Sequence, residues 1–240
     1  MNECQLQAII EGFFSYAGAS GWAYPSIVGC GENATILHYT VNNESCEDGE
    51  VILIDAGAEY RGYASDITRS WPISGTFTES QKEIYSLVLK SQEAAIAACK
   101  VGNPYTAPHD EARRVLAEGL IELGVISQTV DEALDPDKGE LRRWYMHNTS
   151  HWIGLDVHDV GIYKPGGSPR MLEEGMCLTV EPGLYFGAWR PDVDCPKQYA
   201  NIGIRIEDDV LVTAEGPVVL TQACPKTIED IQSIVGKQTL

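Results

Sequence analysis

The sequence predicts an α+β domain built on a mostly antiparallel sheet. Two observations carry this expectation. Strand-like and helical runs are segregated, in the order helix, strands, two long helices, strands, short helix, which argues against a doubly wound parallel sheet. In addition, the clustered histidines and acidic residues fall in the strand-rich parts. The long amphipathic helices carry none of them, so they read as the layer that covers one face of the sheet.

Each element has its own signal. Residues 5–17 place Leu6, Ile9, Ile10, Phe13, Phe14 and Ala17 on one helical stripe, with Gly18 as the stop. A β-rich stretch follows from about Ile27 to Ile73. Thr78 and Gln81 form a capping box, after which Ile84, Leu87, Val88, Ala94, Ala95 and Ala98 recur at helical spacing up to Gly102. Pro108 opens the next helix, with Ala112, Val115, Leu116, Leu120 and Leu123 on its apolar face and Gly124 beyond its end. From about Tyr145 the chain reads as strand again, rich in Gly and Pro. A short helix is expected from Ile228 to Val235.

Bulk properties exclude several classes of function. The chain has 240 residues, 44% hydrophobic and 22% charged, with a formal charge of -18. No basic cluster interrupts the acidity, so neither nucleic acid nor an anionic membrane is expected as a partner. No apolar run reaches the length of a membrane span. Met1–Ile10 lacks the pattern of a secretory signal, and a cytoplasmic location is expected. Seven cysteines without a C-x-x-C pair read as free, buried thiols.

Three of the five histidines, His147, His151 and His158, lie in HNTSHWIGLDVHD, and His38 lies in ENATILHY. Acidic residues close apolar runs at Asp55, Asp66, Glu181 and Glu207. Histidine with several carboxylates is the donor set of a hard or borderline divalent ion. His147 and His151 have the four-residue spacing of a zinc-protease helix. Asn148 stands where that motif needs Glu, and Gly154, Asp156 and Gly161 are poor helix formers, so that motif is rejected. A hairpin centred between Tyr60 and Arg61 would set Asp55 directly opposite Asp66, Cα atoms roughly 4.5–5.5 Å apart. Two such carboxylates repel without a cation between them. Arg205 and Glu207 share one strand face, Ile204 and Ile206 the other. Asp208 and Asp209 read as an exposed strand end, and His109 as structural.

The segments GENATILHY, DAGAEYRGYASDITRSWP, HNTSHWIGLDVHDVG, MLEEGMCLTVEPGLYF and QYANIGIRIEDDVLVT resemble the pita-bread metallopeptidases, specifically the Xaa-Pro aminopeptidase and prolidase group. The resemblance runs over nearly the whole chain. It implies a curved, mostly antiparallel sheet with helices on its outer face and a metal site on its inner face. It implies that residues 1–240 are a single catalytic domain without the family's N-terminal domain and first catalytic-domain helix. Asp55, Asp66, His151, Glu181 and Glu207 would be the ligands of two divalent ions, manganese first and cobalt or zinc next, with Asp66 and Glu207 as bridges. The implied reaction is hydrolysis of the bond before proline by a hydroxide between the two ions, on peptides with proline in second position. Glu181 would carry the proton, His147 and His158 would bond the substrate carbonyl, His38 would assist near the proline pocket, and Arg205 would orient site groups. Relatives have Gly where Asn148 stands, and Asn tolerates positive φ. The resemblance leaves a homo-oligomer open.

Three alternatives stay in view. A prolidase would cut dipeptides only, and no group for the free carboxylate is evident in the sequence. A methionine aminopeptidase shares the ligands, but its motifs around the histidines differ. An inactive peptide-binding module of the same fold would lack ligands that this chain keeps.

Overall fold

A computed structural model describes residues 1–236. Helix α1 spans Glu3–Tyr16, and Asn2 caps it by accepting from the amide of Cys4. Five strands follow: β1 Gly21–Trp22, β2 Ile27–Cys30, β3 Val51–Asp55, β4 Ala58–Tyr60 and β5 Tyr63–Ala64. After them come β6 Thr68–Pro72 and helices α2 Glu79–Ala98, α3 Ala107–Glu122 and the short α4 Val130–Ala133. Strands β7 Cys177–Val180, β8 Gly183–Tyr185, β9 Gly203–Arg205, β10 Asp208–Thr213 and β11 Gly216–Val219 complete the sheets, and α5 Ile228–Ile234 is the last helix.

The strands lie in the orders β1-β4-β5, β2-β3-β6, β8-β9 and β11-β10-β7, and every ladder pairing between them is antiparallel. The expected α+β class is therefore observed. Backbone bonds also stitch the sheets together: the Glu207 amide donates to the Thr68 carbonyl at 3.1 Å, and the Ile206 amide to that of Pro182 at 3.3 Å.

Helices α2 and α3 form the covering layer. Thr78 and Gln81 make the expected capping box on α2, Thr78 N–H donating to Gln81 Oε1 at 2.9 Å. Ile84, Leu87, Val88, Val115, Leu116 and Leu120 join Leu184, Ile204 and Ile206 in one buried cluster. Strand alternation thus sends Ile204 and Ile206 towards the helices and leaves Arg205 and Glu207 for the opposite side. Helix α1 covers β2 and β3 by a narrower stripe than expected. Leu6, Ile10 and Phe14 pack inward, whereas Ile9 and Phe13 are exposed at the helix flank.

Four expectations are corrected. Residues 36–50 hold no named strand, and residues 145–176 are largely irregular, with only isolated bridges and a 3₁₀ turn at Pro165–Gly167. The latter segment satisfies its backbone against neighbours: the Thr179 amide donates to the His151 carbonyl and that of Glu181 to the Thr149 carbonyl. Cysteines 30 and 46 are joined in a disulfide, because the loop after β2 folds back beside its end; Cα atoms lie 5.3 Å apart. Of the remaining cysteines only Cys99 is fully buried, and Cys4 is exposed. The hairpin is centred between Arg61 and Gly62, both at positive φ (53° and 83°), so Tyr60 pairs with Tyr63 and Asp55 with Thr68. Two adjacent left-handed residues are what a tight two-residue turn needs, with Gly at the second. The register is displaced by two residues, which preserves the face: Asp66 does not oppose Asp55 but still lies on its side of the sheet.

Asp208 and Asp209 are also not an exposed strand end. Both are buried, covered by Gln92 of α2 and by the segment from Thr221 to Lys226. Among the described residues no helix is long and apolar enough to cross a membrane.

Candidate metal centre

One cleft of about 460 Å³ opens on the sheet face opposite α2 and α3, and all nine residues singled out for chemistry line it: His38, Asp55, Asp66, His147, His151, His158, Glu181, Arg205 and Glu207. They arrive from distant elements. Asp55 ends β3, Asp66 lies between β5 and β6, Glu181 follows β7, and Arg205 ends β9. Glu207 lies in the gap between β9 and β10, and the histidines come from loops.

His151 is oriented as a ligand. Its Nδ1 donates to the carbonyl of its neighbour Trp152 at 3.0 Å, which fixes a proton there and directs Nε2 at the carboxylates. That Nε2 lies 3.4 Å from Asp66 Oδ2 and 3.5 Å from Glu181 Oε1. Donor atoms of Asp66, His151 and Glu207 all fall within 4.8 Å of one another, a separation one ion can span. Asp55 and Asp66 meet at the hydroxyl of Tyr24, which contacts an oxygen of each. One hydroxyl proton cannot serve two carboxylates, so a second proton or a cation belongs between them.

Electrostatics point the same way. Burial first, then Asp55, raises the Asp66 pKa to about 6. Burial raises Glu181 to about 7 and pushes Glu207 well above the usual carboxylate range, with the neighbouring acids adding to it. Burial opposes a charge on His151, but its hydrogen bond to Asp66 and the charge of Glu181 win and raise it to about 9. These three carboxylates are short of positive charge, and divalent ions would supply what they lack. Oxygen donors with one imidazole are a chemically sound set for such ions, so the residues fit the group.

Arg205 is nearly inaccessible and acts as the fixed counter-charge. It donates to Asp55 Oδ2 at 2.7 Å, to the Tyr185 hydroxyl at 3.0 Å and to Thr68 Oγ1 at 3.1 Å. Thr68 in turn donates to Glu207 Oε2 at 2.5 Å. The expected orienting of Glu207 by Arg205 therefore passes through Thr68, while Asp55 is gripped directly. His147 has both ring nitrogens engaged within the protein, Nε2 with the Tyr185 hydroxyl and Nδ1 with the Asn148 carbonyl, each at 2.8 Å. Burial and then Arg205 depress it to about 3, so it is neutral. His158 packs its ring edge-on to His151 at 4.4 Å, and His38 is exposed at the cleft mouth. Asn148 does not need a positive φ. His109 lies outside the cleft, its Nδ1 bonded to Thr149 Oγ1 at 2.8 Å, in keeping with a structural role.

Tyr24 and Thr68 are absent from the sequence-based site. Tyr24 stands before Pro25 with no neighbouring acid, and Thr68 is one of several hydroxyls in SDITRS. Only the fold brings them to the carboxylates.

The model of metallopeptidase family M24 matches residues 1–214. The Xaa-Pro aminopeptidase of Escherichia coli is 46% identical over 235 residues, 98% of this chain and 52% of that protein. That of Haemophilus influenzae is 47% identical over 214 residues, covering 89% of this chain and 48% of the relative. The solved structure of Pseudomonas aeruginosa aminopeptidase PepP superposes with a TM-score of 0.93 at 45% identity, over 98% of this chain and 52% of that one. A variant of E. coli aminopeptidase P in complex with substrate gives 0.91 at 45% identity, with the same coverage. The chain thus spans about half the length of the relatives it matches.

Proposed function

The chain belongs to metallopeptidase family M24, with its pita-bread α+β fold, and from that premise we propose that it is a dinuclear metallo-aminopeptidase releasing an N-terminal residue that precedes proline. The observation that carries this reading is the convergence of Asp55, Asp66, His151, Glu181 and Glu207 in one cleft. The high identity to Xaa-Pro aminopeptidases over nearly the whole chain supports the specificity.

Asp55, Asp66, His151, Glu181 and Glu207 would hold two divalent ions, manganese first. The proximity of His151 Nε2 to Asp66 and Glu181, and the Tyr24 hydroxyl that touches both Asp55 and Asp66, support this donor set. When bound, the ions supply Lewis-acid polarisation of a carbonyl and water acidified to near neutral pH. The chain's own groups do the rest. Glu181 sits near the pKa of a proton carrier, so it can take a proton from water and pass it to the leaving nitrogen. His158, exposed at the mouth, would bond the carbonyl that is attacked, with His38 assisting beside it; the same role expected of His147 is not kept, because both its ring nitrogens are engaged within the protein. His147 flanks Glu181, its Nδ1 3.7 Å from Oε2, and holds Tyr185 against Arg205.

A bond to proline has no amide N–H, so a strand-like substrate register is lost. Recognition then falls to apolar contact, and Pro25, Ile27, Leu37 and Val157 provide an apolar wall in the same cleft. The test is turnover of Xaa-Pro-Xaa, Xaa-Pro and Met-Ala peptides with manganese, cobalt and zinc added separately. Cleavage of the first class, fastest with manganese and abolished in Asp66→Ala, is expected. Turnover confined to Xaa-Pro would make the chain a prolidase, and equal turnover by Asp66→Ala would end the catalytic reading.

A further inference from the structure

Behind the cleft lies a second charged cluster that the proposed chemistry does not use. Arg69 and Asp208 are buried, 3% and 0% exposed. They meet at 2.7 Å between Nη2 and Oδ1. The rest of the guanidinium is also spent. Nη1 donates to the carbonyls of Thr68 at 2.9 Å and Glu207 at 2.6 Å, Nη2 also to that of Cys224 at 2.8 Å, and Nε to that of Pro225 at 3.0 Å. Asp208 accepts from Thr221 Oγ1 at 2.6 Å, and from Gln92 Nε2 and Lys226 Nζ at 2.7 Å each.

Two of those contacts fall on the backbone that carries the site. Thr68 and Glu207 are joined by the Glu207 amide to the Thr68 carbonyl and by the Thr68 hydroxyl to the Glu207 carboxylate. Arg69 grips the carbonyls of both residues at the interruption between β9 and β10, where no ladder holds Glu207. The five N–H groups of the planar fork serve four carbonyls and a carboxylate at once, which the three of a lysine cannot. An outlay of two buried charges is poorly explained by stability alone, since buried ion pairs are often replaceable without loss.

We propose that Arg69, fixed by Asp208, is a positioning residue that sets the Glu207 carboxylate for metal binding, with the segment Thr221–Lys226 as the strap that locks it. This rests on the reading of Glu207 as a ligand. Groups that orient ligands from behind are worth about 10–100-fold in metal affinity.

The test is manganese affinity, measured by titration calorimetry on the full chain without substrate. Arg69→Lys and Asp208→Asn are expected to raise the manganese Kd about 10–100-fold. Lys226→Met, the mildest change, should raise it a few-fold and decides the matter if the other two do not fold. Leu116→Ala, in the α2–α3 core and away from the cleft, serves as a control for lost stability and should keep wild-type affinity. Unchanged affinity in the folded cluster variants, or an equal loss in Leu116→Ala, would overturn the proposal while leaving the metal reading intact. A wild-type chain that binds no manganese would sink the metal reading and this inference with it.

Discussion

At the scale of single residues, the candidate donors were readable because chemistry leaves local marks. An acid closing an apolar run, as Asp55 closes VILI, has no cheap reason to be there. The residues that hold those candidate donors left no such mark. Asp208 and Asp209 look like a solvated pair in the sequence, and their partners lie as far away as Arg69 and Gln92. Tyr24 is similarly silent. Its hydroxyl lies between Asp55 and Asp66, so Tyr24→Phe should weaken manganese binding by about 10-fold while leaving the fold intact; a titration with unchanged affinity would refute it. His109 offers a test of pH dependence. Burial, with Arg113 adding to it, lowers its pKa to about 4. Between pH 6.5 and 4 the unfolded chain therefore binds a proton that the folded chain refuses, and stability falls as pH falls. Urea unfolding at pH 7 and 4.5 should show His109→Gln losing less on acidification than wild type, by on the order of 2 kcal/mol.

At the scale of elements, helices α2 and α3 were legible because a repeated period of 3.6 and a capping box are local signals. Thr78→Ala should cost about 1 kcal/mol in unfolding free energy, through loss of the cap. The segment 145–176 was misread as strand for a physical reason. Its aromatic and glycine-rich sequence resembles β-structure, but its amides bond to scattered loop and strand partners rather than to a ladder. Hairpin register was also beyond local reading, since one choice of turn centre moves every pair. Gly57, beside that hairpin, has a steric demand visible only in three dimensions: a Cβ there would stand 1.7 Å from the carbonyl oxygen of Ser65. Backbone cannot yield as a side chain can, so Gly57→Ala should destabilise by about 1–3 kcal/mol and disturb the loop leading to Asp66. A wild-type unfolding midpoint in that variant would show that the hairpin is looser than described.

At the scale of the whole molecule, the segregation of helices and strands was enough for the α+β class, and it also explains the division of labour. One face of the sheet is sealed by α2 and α3, and the other keeps a cleft into which four acids from separate strand ends or loops project. Four carboxylates gathered in one place make the folded chain favour cations. Manganese at a hundred times its Kd should add about 2.7 kcal/mol, raising the melting temperature by roughly 5–10 °C, and a chelator should reverse it. A melting temperature indifferent to both would mean the acids are not gathered as described.

The claim beneath all of this is that two cations share one cage, and anomalous diffraction from crystals soaked in manganese tests it most directly. Two peaks, roughly 3.5–4 Å apart, are expected among the side chains of Asp55, Asp66, His151, Glu181 and Glu207. An absence of peaks there, or manganese bound only at other acidic surfaces, would contradict it.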